Sequence, residues 1–499
     1  MEASAERRER TYGNWRRPRS AGIGQLGTVG TIVLLIGLIA VILTTAIFGL
    51  VPGLVVLVAL GAILGTLLVR DRHGKTGLQH IALRGGWMRT RMRRGNLYRS
   101  GPTGLTPWGS YQLPGLLAAS TLSEGHDSYD RPFALLRMPV GNHYTVVLAC
   151  EPDGAALVDQ EQIDVWVARW GQWLASLGDE PGVIAASVTI ETAPDTGTRL
   201  RNHVTSRIDP QAPPVSKAIL SEVVESYPAG SATIKAWVAL TFSGIGRGRP
   251  KDQRQMAHEL GARLPQLTQG LYGTGAGAVR PVSSQQLCEI VRVAYDPAAG
   301  TLLEEAQAAG QQLDLSWSDV GPSAAQAEWD HYRHEGAHSI TWAMTAAPRG
   351  ESPSSILYRL LAPHRDIARK RITLLYRILN PGEVARIVES DLRNATFRAT
   401  SSPRPTARAL YEQRSAQATA QEEARGASLV NFGMLVTATV MTGQELRDAE
   451  AAIDNLAATA RLTLRRVYGS QDSAFAATLP LGVVLPAHLK VPDKMRTAL

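Results

Sequence analysis

Three short stretches of the 499-residue chain carry residue types that could do chemistry. His334-Glu-Gly-Ala-His338 matches H-E-x-x-H, in which two histidines on one helix face hold zinc and the glutamate acts as general base. His331 lies one further turn back. The context opposes a helix. Gly336 weakens its centre, and His338 opens Ser339-Ile-Thr-Trp-Ala-Met-Thr345, which alternates like a strand. A switch to strand at His338 turns the two imidazoles apart, so a solvated helix-to-strand corner is the better reading than a metal centre. Gly74-Lys-Thr76 matches the end of a phosphate-binding loop, but the position of its first glycine is Val69 and an apolar run precedes it where a strand is required. Gly273-Thr-Gly-Ala-Gly277 follows a helical pattern and reads as a flexible loop. No G-x-S-x-G elbow occurs. The expectation is a non-enzymatic chain with no catalytic residue, cofactor or metal; a membrane-anchored zinc protease using His334, Glu335 and His338 is the enzyme-class alternative.

The element that must position everything else is Thr28–Val69. Two apolar runs, Val29–Phe48 and Leu54–Val69, flank Gly49-Leu50-Val51-Pro52-Gly53, and no charge occurs between Arg19 and Arg70. About 20 apolar residues cross a bilayer core, and Pro-Gly marks a tight turn. The stretch reads as a two-helix transmembrane hairpin over 28–69. The first run is too long for a cleaved signal peptide and lacks a small-x-small site after it. Six arginines precede the hairpin (Arg7, Arg8, Arg10, Arg16, Arg17, Arg19), and Arg70, Arg72, Lys75, Arg84, Arg89, Arg91, Arg93 and Arg94 follow it. Basic flanks stay cytoplasmic, so the chain is expected in the bacterial inner membrane with both termini in the cytoplasm.

The same residues explain the net charge of +8. They outnumber the local acids Glu2, Glu6, Glu9 and Asp71, leaving the remainder nearly neutral. That pattern favours anionic lipid over nucleic acid as the partner of the charge. Tyr12 and Trp15, with Arg16 and Arg17, read as an interfacial anchor in the tail 1–27. The segment 70–114 reads as a basic juxtamembrane collar, with Arg70, Arg72, Trp87, Arg89, Arg91, Arg93 and Arg94 against the membrane surface and Gly101–Pro107 as the linker out. Cys150 and Cys288 sit in apolar runs and are expected reduced.

The body reads as α+β in two domains, 115–300 and 301–499. Phe133–Met138 and His143–Cys150 form a hairpin around Pro139-Val-Gly-Asn142, and Gln160–Leu177 has apolar residues at helical spacing. Ala185–Glu191, Ala232–Phe242 and Ala278–Val282 read as strands; Pro214–Ser226, Asp252–Leu271 and Ser283–Ala294 read as helices. In the second domain His338–Ala346, Ile372–Leu379, Leu429–Val440 and Leu462–Val467 read as strands, and Gln444–Ala460 and Asp472–Thr478 as helices. Glu383–Thr400 and Thr406–Ala424 form a projecting helical hairpin joined at Pro403-Arg-Pro405. Trp237-Val-Ala-Leu-Thr-Phe with Val279-Arg-Pro-Val and Ser284-Gln-Gln is echoed by Leu435-Val-Thr-Ala-Thr-Val with Arg465-Arg-Val-Tyr and Ser470-Gln-Asp. The echo suggests two ferredoxin-like halves.

Tyr12-Gly-Asn-Trp-Arg-Arg-Pro-Arg-Ser20, the double span and Arg84-Gly-Gly-Trp-Met-Arg89 together resemble an actinobacterial membrane family encoded with conjugative transfer genes. The membrane part resembles a PrgI-like hairpin. Ala427–Val440 and the segment Arg466–Gly482, with Tyr468, Gln471, Phe475, Leu479 and Pro480, are similar to the end of the N-terminal domain of VirB/TrbE-type conjugation ATPases. The sequence stops at Leu499 without the ATPase domain, so the resemblance implies a separate hexameric motor. It implies an inner-membrane scaffold subunit of a conjugative type IV secretion system, oligomeric in the assembly, docking that ATPase and other channel subunits. An EccE-like subunit of a type VII system is the rival reading.

Overall fold

The computed structural model describes residues 11–13, 15, 27–69, 71–104, 110–154, 158–195, 197–226, 232–246, 248–311, 314–348, 350–401, 404–426 and 428–489. Arg16, Arg17 and Arg70, residues 105–107 of the expected linker, and Pro403 lie outside them.

A two-residue strand β1 (Thr11–Tyr12) precedes α1 (Gly27–Phe48) and α2 (Leu50–Leu68). Both helices are long and apolar enough to cross a membrane. They break at Gly49, whose φ of 92° suits glycine. Pro52-Gly53, expected to form the turn, instead lies in the first turn of α2, where a missing N–H costs nothing. The helices meet at small residues: Leu60 sits over Gly37, and Thr45 over Gly53, leaving no room for a Cβ at either glycine. Their other faces, among them Leu35, Ile39, Leu43, Val51, Val55 and Val58, are bare. After α3 (Gly77–Met92) the chain enters the sheet at β2 (Leu97–Arg99).

The body is built twice. In the first pass β3 (Thr121–His126), β4 (Pro132–Met138) and β5 (His143–Glu151) form a meander, followed by α4 (Gln160–Ser176) and β6 (Val183–Pro194). An insertion, α5 (Thr198–Arg207) and α6 (Pro214–Ser226), leads to β7 (Ala232–Ser243). A small ladder of β8 (Ile245–Gly246) and β9 (Arg249–Pro250) precedes α7 (Gln253–Gln269), β10 (Ala278–Pro281), α8 (Ser284–Tyr295) and α9 (Ala299–Ala308). The second pass repeats the order. The meander is β11 (Ala324–Ala327), β12 (Tyr332–His334) and β13 (Ala337–Ala346), and β14 (Ser352–Pro353) with the one-turn α10 (Tyr358–Leu361) leads to β15 (Arg369–Ile378). The insertion is α11 (Pro381–Thr400) and α12 (Ala407–Ala424); β16 (Val430–Val440), α13 (Leu446–Thr459), β17 (Thr463–Arg466) and α14 (Gln471–Thr478) complete it.

Strand placement repeats as well. β5 pairs β7 along one side and shares its other side between β4 and β10. β13 pairs β16 and shares its other side between β12 and β17. All these pairs are antiparallel, with β6 beyond β7 and β15 beyond β16. Thr145 opposite Thr241 and Thr341 opposite Thr437 occupy matching places. The repeat therefore includes the leading meanders, which the sequence echo did not reveal. The boundary drawn at residue 300 falls inside α9, and the sheet does not stop there: β6 and β15 pair from Lys370–Thr192 to Arg377–Ala185.

This continuous sheet has two covered faces. On one, α4 and α7 pack on the first half around Phe133, Leu148, Leu240 and Leu260, and α10 and α13 on the second around Trp342, Val436 and Ile453. On the other, α8, α14 and residues 479–483 lie across both halves around Tyr295, Phe475 and Leu481. Local signals explain the helix starts. Thr76, Asp252 and Ser283 each cap a helix in reciprocal bonding with Gln79, Gln255 and Gln286. Cys150 and Cys288 are free and buried, and burial pushes both thiols up to about 12.

Candidate binding site at the base of the helical hairpin

Where α2 ends, the chain reverses tightly. Asp71 N–H donates to the Lys75 carbonyl at 2.9 Å, Gly74 N–H to the Asp71 carbonyl at 2.7 Å, and Gly77 N–H to the Val69 carbonyl at 3.1 Å. Gly74 has φ 81°, so Gly74-Lys-Thr76 is a turn and a helix cap. α3 then runs along the sheet edge to β2, which pairs β11.

Trp87 of α3 faces inward to Trp329, with ring centres 6.1 Å apart. Trp329 stacks on Tyr468 at 5.6 Å, and Arg84 lies over the Trp329 ring. Arg465 and Arg466 lie 5.6 and 5.8 Å from the Tyr468 ring centre. Both arginines also line one cavity. Planar cations on aromatic faces are held with little loss of freedom. This ladder walls a cavity of about 440 Å³, also lined by Asp71, Arg72, His73, His80, Glu450 and Asp454.

The charges around it are unevenly matched. Arg466 is engaged by Glu450 and by Asp330 at 3.3 Å. Arg465 is only 8% exposed, and no described residue gives its guanidinium a hydrogen bond or a carboxylate. Arg72 Nε donates to His73 Nε2 at 3.1 Å, which requires a neutral imidazole. Burial lowers the His73 pKa, and Arg72 and Arg465 add to that against the opposing pull of Asp71. Burial and then Arg465 lower Lys75. The cavity is thus a place where positive charge is held close and partly dry.

A family model described as Domain of unknown function (DUF8461) matches residues 19–79. It spans the helical hairpin and the turn at its base, not the body. No curated protein sequence matches the chain.

The expected interface residues separate. Arg89, Arg91, Arg93 and Arg94 are exposed on and after the last turn of α3, and Arg72 is exposed at the cavity. Trp87, expected against the membrane surface, packs on Trp329 of the body. Tyr12 and Trp15, expected in the headgroup zone, also lie on the body: Tyr12 donates to Asp164 Oδ1 at 2.9 Å, β1 pairs β14, and Trp15 meets Phe432 edge-on at 5.2 Å. A long polar tail can pair a strand edge as readily as it can line an interface, and composition does not separate the two.

The family-like segment is structural in placement. Gln471 is fully buried. Its side chain accepts from Thr341 N–H at 2.8 Å and donates to the Thr341 carbonyl at 3.2 Å, filling the gap on β13 between β12 and β17. Phe475 lies at the centre of the shared core, and Leu479 and Pro480 are buried beside it. Thr373 and Thr241 donate to the carbonyls of Thr478 and Gly482 at 2.8 and 3.0 Å, tying the segment to both halves. Tyr468 alone of the set reaches the cavity.

His334-Glu-Gly-Ala-His338 is neither a helix nor a solvated corner. It is the β12–β13 hairpin, with Glu335 in the left-handed region at φ 46°. His334 pairs Ala337, which puts His338 on the opposite face. His334 is fully buried: Nδ1–H donates to the Tyr295 carbonyl at 2.5 Å, and Nε2 meets Ser339 Oγ at 2.8 Å. Burial, with further repulsion from Arg371 and His338, lowers its pKa to about 4 despite the Tyr295 bond. Among the described residues no three His, Cys, Asp or Glu side chains are grouped to hold a metal. Sequence reasoning missed Trp329 and Arg465. The available signal was the Arg465-Arg466-Val-Tyr468 run, which sets two cations beside an aromatic ring.

Proposed function

We propose that this protein is a membrane-anchored scaffold subunit of a conjugative type IV secretion machine, with a body of two ferredoxin-like units that docks a separate ATPase. The observation that carries the anchoring is the bare apolar surface of α1 and α2, which the body leaves uncovered and which water would penalise. The basic turn and α3 at one end of that pair favour the cytoplasmic leaflet on that side. Each half supports the ferredoxin-like reading: strand, helix, strand, strand, helix, strand in the order β6-β7-β5-β10 and again β15-β16-β13-β17. The secretion assignment rests on the resemblance of the Tyr12–Ser20 and Arg466–Gly482 stretches. A mild-detergent pulldown of the tagged protein from its native cell, read by mass spectrometry, tests it. Recovery of a P-loop ATPase with transfer-channel subunits is the expected result. Recovery of type VII components would replace it with the EccE-like reading, and recovery of neither would end both.

A further inference from the structure

Arg465 presents an unusual arrangement. The residue is only 8% exposed, its guanidinium rests on the Tyr468 ring and lines a cavity, and no described carboxylate meets it. The acids in the wall are otherwise placed: Glu450 holds Arg466, Asp71 lies 3.7 Å from His80, and Asp454 is exposed at the rim. A buried cation without a counter-charge is costly, whereas the same group facing an anion is worth keeping. Arg72 and Arg84 line the same cavity, and Arg84 is held over Trp329. Guanidiniums converging from different elements suit a group with several oxygens around one centre, which is the geometry of phosphate.

We propose that this cavity binds a phosphate-bearing anion, seated on Arg465 and flanked by Arg72 and Arg84. At about 440 Å³ it has room for a phosphodiester with its small polar substituent. Two sources share that chemistry. One is an anionic phospholipid headgroup, since Asp71 and Arg72 follow α2 within four residues of its end; this source rests on α1 and α2 spanning a membrane. The other is a soluble phosphate compound, which needs no membrane.

The test uses the full-length protein in non-ionic detergent and phosphate-free buffer, following the fluorescence of the cavity tryptophans Trp329 and Trp342. Short-chain phosphatidylglycerol, short-chain phosphatidylcholine and inorganic phosphate are titrated separately. Saturable binding of phosphatidylglycerol or phosphate, weakened about tenfold or more by Arg465→Met, is expected for the loss of a charged hydrogen-bonding group. Phosphatidylglycerol binding well above both other probes assigns the headgroup; inorganic phosphate binding as tightly assigns a soluble compound. No saturable binding of either, equal binding of phosphatidylcholine and phosphatidylglycerol with no response to phosphate, or affinities unchanged in Arg465→Met would overturn the site. If Arg465→Met does not fold, Arg84→Gln, exposed on α3, carries the same test, and unchanged affinity there overturns it too. Alkaline carbonate extraction of native membranes checks anchoring separately, so release of the protein would end the lipid source and leave the phosphate titration standing.

Discussion

Replacing Glu191 with glutamine should destabilise the body more than any comparable surface change. Glu191 sits on β6, and its carboxylate is met by Arg369 and by Arg371 Nε and Nη2 at 3.0 and 2.6 Å, both from β15. The three groups span the seam between the halves, with side-chain exposures of 7%, 14% and 3%. Arg371 also lies over the Phe475 ring at 5.6 Å. Burial alone would raise the Glu191 carboxyl, but Arg369 and Arg371 overcome it and hold the pKa at about 2. Removing one member of a buried pair typically costs about 3–5 kcal/mol, because the remaining charge is stranded. Linkage gives a similar figure: a fall from 4.5 to about 2, at about 1.4 kcal/mol per pH unit, is worth about 3 kcal/mol. The folded pKa is depressed, so this stability is complete above the unfolded value of 4.5 and disappears as pH falls toward 2. Chemical unfolding of wild type and Glu191→Gln at pH 7 and pH 3 provides the assay. The variants should differ by about 3–5 kcal/mol at neutral pH and by clearly less at pH 3. A difference below about 1 kcal/mol at pH 7, of the size seen for exposed pairs, would refute an ionic seam.

Three further substitutions probe other contacts. Gln471→Leu keeps the volume but strands the buried Thr341 N–H, so thermal or chaotrope unfolding should show a loss of about 1–3 kcal/mol; an unchanged midpoint would mean water replaces the amide. His334 has its pKa lowered from 6.5 to about 4, so the stability its neutral form contributes is complete above 6.5 and lost as pH falls to 4. The stability gap between wild type and His334→Gln should narrow by about 3 kcal/mol across that window, measured by unfolding at fixed pH steps. Gly53→Val would drive a side chain into Thr45 across the helix pair. Overpacking costs about 1–3 kcal/mol, which should appear as a lower melting temperature in detergent.

What could be read from the sequence was set by how local each signal is. The helix pair, the β4–β5 hairpin and α6 were legible because length, alternation or apolar spacing defines each within its own residues. The Pro52-Gly53 turn was misplaced because glycine at 49 satisfies the positive φ and lets proline fall where helices accept it. Strands β11 and β12 escaped notice: Ala324–Ala327 and Tyr332–His334 are too short to show a period. The single sheet was invisible for a different reason. The β6–β15 pairing joins residues nearly two hundred positions apart, and alternation marks a strand without naming its neighbour. The cavity combines α3, an isolated tryptophan at 329 and the end of β17, and only the fold brings these together.

The duplication also shows which parts of the body the helix pair can influence. The two passes share strand order and insertions but differ at their outer edges. The first ends in β3. The second is extended by β2, which hangs directly from α3 and the turn beneath α2. A displacement of the helix pair therefore acts first on the second half, through β2–β11 and the Trp87–Trp329–Tyr468 stack. Two routes continue to the first half. One is the β6–β15 seam with Glu191, Arg369 and Arg371; the other is the segment 471–482, bonded to Thr341 and Thr373 on one side and Thr241 on the other. Phe475 touches both routes through Arg371. Because both routes cross the seam, Glu191→Gln and Gln471→Leu should uncouple the halves before either unfolds alone. Biphasic unfolding in these variants, against one transition in the wild type, would mark that separation.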